Sequence, residues 1–140
     1  MFNINEMELL EEIKTVVSRY DLTFELPEGC KKVYDCEKEV LAKLGFYPEK
    51  RDGYFMKKYE GYIPRGWYGF AIGTPIPESW MDCLDEALTI LTEADPELEI
   101  HQIKLKFGGL RFYVESQKIE DIYAIGSLLE DSMYDPRLIY

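Results

Sequence analysis

The chain has 140 residues, 46% of them hydrophobic and 31% charged, and a net charge of −11. This length and composition fit one folded domain with a buried core, and exclude a disordered segment. The acidic balance excludes non-specific nucleic-acid binding, which needs an excess of Lys and Arg against phosphate, and no apolar run reaches the roughly 20 residues of a membrane-spanning helix.

The first predicted element is a helix. Asn5 is placed as its N-cap, with Glu8 three residues on as in a capping box, and Ile4 and Leu9 form a hydrophobic staple. Leu9, Leu10, Ile13, Val16, Val17 and Tyr20 then recur at helical spacing. The early acids Glu6, Glu8, Glu11 and Glu12 do not suit a secretory signal. Cys30, Cys36 and Cys83 are few and odd in number, so no disulfide framework is expected. Both points lead to an expected cytoplasmic location. Residues 22–26 read as extended and are ended by Pro27 and Gly29. A second helix is predicted over 31–44, with Val33, Val40, Leu41 and Leu44 on its apolar face and Gly45 as its stop.

Residues 46–70 hold nine aromatic side chains. Their β propensity predicts strands near 54–60 and 67–72, joined by a turn over 61–66. Pro75 and Pro77 break the sheet, and Pro77 opens a helix over 77–94. Trp80, Leu84, Ala87, Leu88 and Leu91 form its inner stripe; Asp82, Asp85, Glu86 and Glu93 lie elsewhere on its surface. Residues 76–100 contain eight acids and no Lys or Arg. Next, Ile103, Leu105 and Phe107 alternate up to Gly108-Gly109, and Leu110, Phe112 and Val114 alternate after it. A tight hairpin with both glycines at positive φ fits this pattern, pairing Phe107 with Leu110, Leu105 with Phe112, and Ile103 with Val114. Lys104, Lys106, Arg111 and Tyr113 then share the other face. A final helix is predicted over 117–133, using Ile119, Ile122, Tyr123, Gly126, Leu129 and Met133.

These elements make an α+β domain spanning 1–140: a helical part over 1–45 and a sheet-and-helix part over 46–140. The C-terminal order reads β-β-α-β-β-α. An antiparallel sheet of about four strands with helices on one face buries the apolar stripes.

Gly66-Trp67-Tyr68, the amphipathic helix, the run Gln102-Ile103-Lys104-Leu105-Lys106-Phe107-Gly108-Gly109-Leu110-Arg111-Phe112-Tyr113 and the last helix together resemble a family of small phage and prophage proteins. Those proteins carry a Gly-Trp-(Phe/Tyr) motif, a Val-Lys-Glu-Lys-Phe-Gly-x-Leu-Arg-Phe-Tyr hairpin and a closing helix. The likeness covers about half the chain, and residues 1–60 lie outside it. Many members end with a Cys-x-x-Cys-like pair where this chain has Met133-Tyr134-Asp135, so no metal knuckle is expected. The resemblance implies a mobile genetic element as the setting, where small acidic proteins neutralise toxins or host defences. It does not imply a mechanism.

Catalytic signatures are weak. His101 is the single histidine and has no nucleophile motif around it. A zinc site would need Cys30, Cys36, Cys83 and His101, whose spacing fits no zinc pattern. Gly61 and Gly66 lack the Lys-Ser/Thr of a phosphate loop. No cofactor or metal is expected, and the protein is read as a non-enzymatic binder of another protein, of immunity or anti-defence type. The expected contact residues are Tyr62, Arg65, Trp67, Tyr68 and Arg111, because Tyr, Trp and Arg dominate interface hot spots. Asp82, Asp85 and Glu86 are expected to steer a partner with a basic surface. Two other readings stand beside this one. The first is a small enzyme or ligand-binding module whose aromatic pocket includes Trp67 and Arg111. The second is a self-assembling virion protein, a homo-oligomer.

Overall fold

The computed structural model describes residues 2–46, 48–72 and 75–139. The first helix, α1 (Phe2–Ser18), buries Leu9, Ile13 and Val16 as the periodicity predicts. It starts before Asn5, which lies inside the helix and does not cap it; the side chains of Ile4 and Asn5 are outside the described residues.

Residues 22–26 are extended but pair with no strand. The Trp80 indole N–H donates to the Leu22 carbonyl at 2.6 Å, and the Arg137 guanidinium donates to the Phe24 carbonyl at 2.9 Å while sitting 4.3 Å from the Phe24 ring centroid. The helix expected over 31–44 is divided into a 3₁₀ turn, Val33–Asp35, and a short helix α2 (Lys38–Lys43). The Asp35 carboxylate accepts from the Lys31 and Lys32 amides at 3.2 and 3.0 Å. This local cap competes with helix propagation, and Cys36 then turns extended.

The strand expected over 54–60 is instead the end of a helix, α3 (Pro48–Lys58). Phe55, Tyr59 and Tyr62 are spaced four and three apart, which is a helical stripe. Phe55 and Tyr59 are both buried, and the Phe55 ring stacks on Phe70 at 4.9 Å. Side-chain period therefore overrode the β propensity of the individual aromatics.

Among the described residues the sheet has three strands in the order β1 (Gly69–Ala71), β2 (Glu99–Lys106), β3 (Gly109–Glu115). It is mixed, which corrects the expectation of an antiparallel sheet of about four strands. β1 runs parallel to β2 because the long helix α4 (Glu78–Ala94) lies between them as a crossover. Pro77 is the N-cap of α4, where its fixed φ suits the entry. The closing helix is α5 (Ile122–Ser132), shorter than predicted. Before it, the Ser116 hydroxyl donates to the buried Asp95 carboxylate at 2.6 Å and accepts from the Lys118 and Ile119 amides, which holds residues 116–119 in a turn.

The β2–β3 hairpin forms with each cross-strand partner two residues away from the expected one, because the turn sits one residue earlier. Lys106 pairs with Gly109, Leu105 with Leu110, Lys104 with Arg111, Ile103 with Phe112 and Gln102 with Tyr113. The turn is therefore Phe107-Gly108, with φ of 55° and 78°. Phe107 is 66% exposed and not part of the core. A bulge at His101 lets both Ile100 and Ile103 face inward. The chain after α5 fixes the register from outside: Asp135 N–H donates to Gly108 O at 2.8 Å, Leu110 N–H donates to Met133 O at 3.0 Å, and Gly109 bridges Tyr134. The two glycines thus do different work. Gly108 supplies positive φ, and Gly109 admits the Tyr134 ring, whose Cδ1 would lie 3.2 Å from any Cβ there.

Phe107 is a costly residue at a left-handed turn position. Phe107→Asn is expected to raise stability by about 1 kcal/mol, read as a higher thermal midpoint. A lower midpoint would show that the phenyl ring contributes more than its strain costs.

The inner face of the sheet carries Phe70, Ile103 and Phe112 in one row, with Ile100, Val114, Leu105 and Leu110 around it. α5 lies against β3, with Gly126 letting the helix approach the Phe112 ring, and α3 lies against β1. α1 packs on α4 and α5. One cluster of buried apolar side chains runs from Leu9 to Leu138.

Candidate functional site

Two acids of α4, Asp85 and Glu86, are bonded within the fold. The Asp85 carboxylate accepts from Tyr54 OH at 2.7 Å, Tyr59 OH at 2.6 Å and Lys58 Nζ at 2.9 Å. Tyr59 OH also reaches Thr89 Oγ1 at 3.2 Å. Glu86 pairs with Arg19 and accepts from Tyr20 OH at 2.7 Å, a bond that pushes the Tyr20 hydroxyl up to about 12. Asp85 and Glu86, expected above to steer a partner, thus each carry internal bonds, Asp85 to Tyr54, Lys58 and Tyr59, and Glu86 to Arg19 and Tyr20. Both side chains are half-buried. Asp82, one turn away, is half-buried.

Burial pushes the Asp85 carboxyl up, but the bonds from Tyr59, Lys58 and Tyr54 outweigh it and hold the group below the usual carboxylate range. Tyr59 is pushed well up, first by burial and then by its bond to Asp85. For Lys58, burial acts downward, and the bond to Asp85 carries it upward overall.

The aromatic candidates separate. Tyr62 is half-buried and packs against the core. Arg65 is exposed in the turn before β1. Trp67 and Tyr68, 49% and 69% exposed, stand at the surface. The Trp67 ring lies flat on His101, centroids 4.2 Å apart and planes 2° apart, and His101 Nε2 is 2.9 Å from Glu99 Oε1. Sequence reasoning did not bring these three together. The bulge that places His101 beside Trp67 has no local signature in the alternation.

Trp67 lies at one side of the sheet face that the helices leave open. Strand pleating puts the pairs Lys106/Gly109, Lys104/Arg111, Gln102/Tyr113 and Glu99/Glu115 on that face. Along the strands it runs from basic (Lys106, Lys104, Arg111) through aromatic (Tyr113 and Trp67, with His101) to acidic (Glu99, Glu115). Arg111, the remaining candidate, sits in the basic third, half-buried and directly opposite Lys104. Lys104 Nζ lies 5.9 Å from the Tyr113 ring centroid. Glu115 accepts from Tyr123 OH at 2.6–2.7 Å.

The edges of the sheet are blunted. On β3, the outward amides of Leu110 and Phe112 are taken by Met133 O and by the Glu130 carboxylate at 2.8 Å. On β1, the Phe70 amide is directed at Met56 Sδ, 3.3 Å away. Strand addition is thus discouraged, and the open face is the larger contact surface.

A hollow of about 280 Å³ lies at the hairpin turn, lined by Tyr34, Leu105, Lys106, Phe107, Leu138 and Ile139. Trp67 and Arg111 do not line it, so the pocket expected from those two residues is not formed there. Among the described residues no group of three or more His, Cys, Asp or Glu is placed to hold a metal ion. None of the described helices is long and apolar enough to cross a membrane. No family model, curated protein or solved structure matches this chain.

Proposed function

We propose that this chain is a non-enzymatic accessory protein of the phage or prophage kind that binds another protein through the open face of its sheet. The observation that carries this reading is the pair of like-charge cross-strand contacts on that face, Lys104 opposite Arg111 and Glu99 opposite Glu115. Like charges directly opposite one another weaken a sheet. Two such pairs of opposite sign, on either side of half-exposed aromatic rings, suit recognition better than stability.

The division of labour follows from the chemistry. Trp67 and Tyr113 supply desolvatable area at the centre. Glu99 and Glu115 receive cationic side chains of the partner, and Lys104 and Arg111 receive a carboxylate. The net charge of −11 draws a partner with a basic surface at long range. Neutralising a toxin or a host defence protein is the role that the resemblance to phage proteins suggests.

The test is retention of a host protein on immobilised wild type, against Trp67→Ala combined with Tyr113→Ala. The expected result is loss of about 2 kcal/mol or more in affinity, seen as faster dissociation, with unchanged circular dichroism. A partner held equally by both proteins sinks the proposal. A second reading rests on the order of charges, which is self-complementary: an antiparallel copy places bases over acids. If the wild type alone self-associates, and the double variant is monomeric, the partner is a second copy.

A further inference from the structure

Cys30 and Cys36 lie at the two ends of a folded loop that no function above uses. The loop is drawn closed by the Asp35 side chain and by turns at both ends. The Asp35 carboxylate holds the amides of Lys31 and Lys32, Cys30 N–H donates to Pro27 O at 3.0 Å, and Cys36 N–H donates to Val33 O at 3.1 Å. The Cys36 thiol folds back to within 3.8 Å of the Lys32 carbonyl oxygen. Both thiols are free and partly exposed, while Cys83 is fully buried in the core. The odd cysteine count read from the sequence therefore becomes one accessible pair and one inert core residue.

We infer that Cys30 and Cys36 are a redox-active dithiol, and that a small disulfide such as oxidised glutathione closes them into an intramolecular disulfide bond.

The step balances in two exchanges. The Cys30 thiolate attacks one sulfur of oxidised glutathione, forms a mixed disulfide and releases one glutathione thiolate. Cys36 gives up its proton to solvent, and its thiolate attacks Cys30 Sγ and releases the second glutathione. Two protein thiols are oxidised, and one glutathione disulfide is reduced to two glutathione thiols. Burial and the neighbouring Cys30 sulfur push the Cys36 thiol up to about 11. Closure is consequently slow at neutral pH and quickens as pH rises. A Cys36 thiolate that is not stabilised also favours the oxidised form, so the bond, once made, resists reduction. Burial pushes Cys83 up to about 11 as well, and its lack of exposure keeps it out of the exchange.

The closed loop anchors Val33 in the core and carries Tyr34 beside the hairpin turn. The bridge would thus lie beside the contact between residues 33–35 and the 3₁₀ turn Pro136–Leu138.

The test treats the native, full-length chain with oxidised glutathione, blocks residual thiols with an alkylating agent, and digests it with trypsin without reduction. Trypsin cuts after Lys31 and Lys32, so a bridge holds together two peptides that would otherwise separate. The expected product has lost two hydrogens by intact mass, yields that linked pair, and is alkylated only at Cys83 once unfolded. Cys36→Ser should stop at a single glutathione on Cys30, and Cys83→Ser should close normally. Glutathione retained separately on both cysteines overturns the inference. So does dimerisation through either cysteine, a bridge to Cys83, or a bridge that forms only in denaturant.

Discussion

Gly108→Val is expected to cost about 2–5 kcal/mol, the sum of a left-handed backbone penalty and forced overpacking. Gly108 has φ of 78°, and a Cβ on it would stand 2.5 Å from the backbone oxygen of Asp135. A carbonyl held by its own chain cannot swing aside as a side chain can. Either the turn changes type or the 133–135 segment leaves the hairpin, and with it go the bonds from Asp135 N–H to Gly108 O and from Leu110 N–H to Met133 O. Gly109→Ala is the control. Its φ is not positive, and the added carbon crowds only the Tyr134 ring, at 3.2 Å, with the Lys106 carbonyl oxygen at an ordinary 3.9 Å, so the expected cost is about 1 kcal/mol or less. Urea midpoints at a common slope separate the two. If Gly109→Ala is the more damaging, the turn lies at Gly108-Gly109 after all.

The second large effect is at Asp85. Asp85→Ala leaves the Lys58 ammonium and the Tyr59 hydroxyl without their main acceptor, with Tyr59 only 2% exposed. Breaking a fully buried pair costs about 3–5 kcal/mol, and because Lys58 still reaches water the expectation here is about 2–3 kcal/mol. The sign of the pH dependence follows from direction alone. The folded pKa of Asp85 is lowered, so its contribution is present above the unfolded value, about 4. It is lost as pH falls through the folded value. Tyr59 and Lys58 are raised, so their contribution is present below their unfolded values, about 10. It is lost only as pH rises further. The stability gap between wild type and Asp85→Asn should be widest near neutrality and narrow at both extremes. A gap that stays constant down to strong acid would mean that the carboxylate charge contributes nothing.

Much of this was legible in the sequence. The apolar stripes of α1 and α4 gave their buried faces, and the alternation around Gly108-Gly109 located a hairpin with the right residues inward from Leu110 onward. The register was not legible, because it is fixed by residues 133–135 arriving from outside the hairpin and by an extra residue at His101. Neither leaves a local pattern. α3 was legible in the helical spacing of Phe55, Tyr59 and Tyr62, which outweighs the β propensity of aromatic residues taken singly. The acids of α4 show the limit from the other side. Composition records that Asp85 and Glu86 are charged, but only tertiary packing shows that Lys58 and Arg19 already hold them. Of the candidate contact residues, Trp67 and Arg111 lie on or beside the open face, and Tyr68 is exposed at the surface. Tyr62 is drawn into the core by the ring cluster around Tyr59.

The parallel pairing of β1 with β2 sets an order in time. β2, β3 and α5 are neighbours in sequence, and their contacts close short loops. β1 can join only after α4 has formed and folded back across the gap, which makes it the slow, high-contact-order event. Until then β2 presents an unpaired edge, with Ile103 uncovered beside it. That edge closes when the Phe55–Phe70 stack arrives together with β1. The aromatic pair is thus a kinetic safeguard as well as core. A variant that weakens it lengthens the interval in which a strand from another chain can take the place of β1.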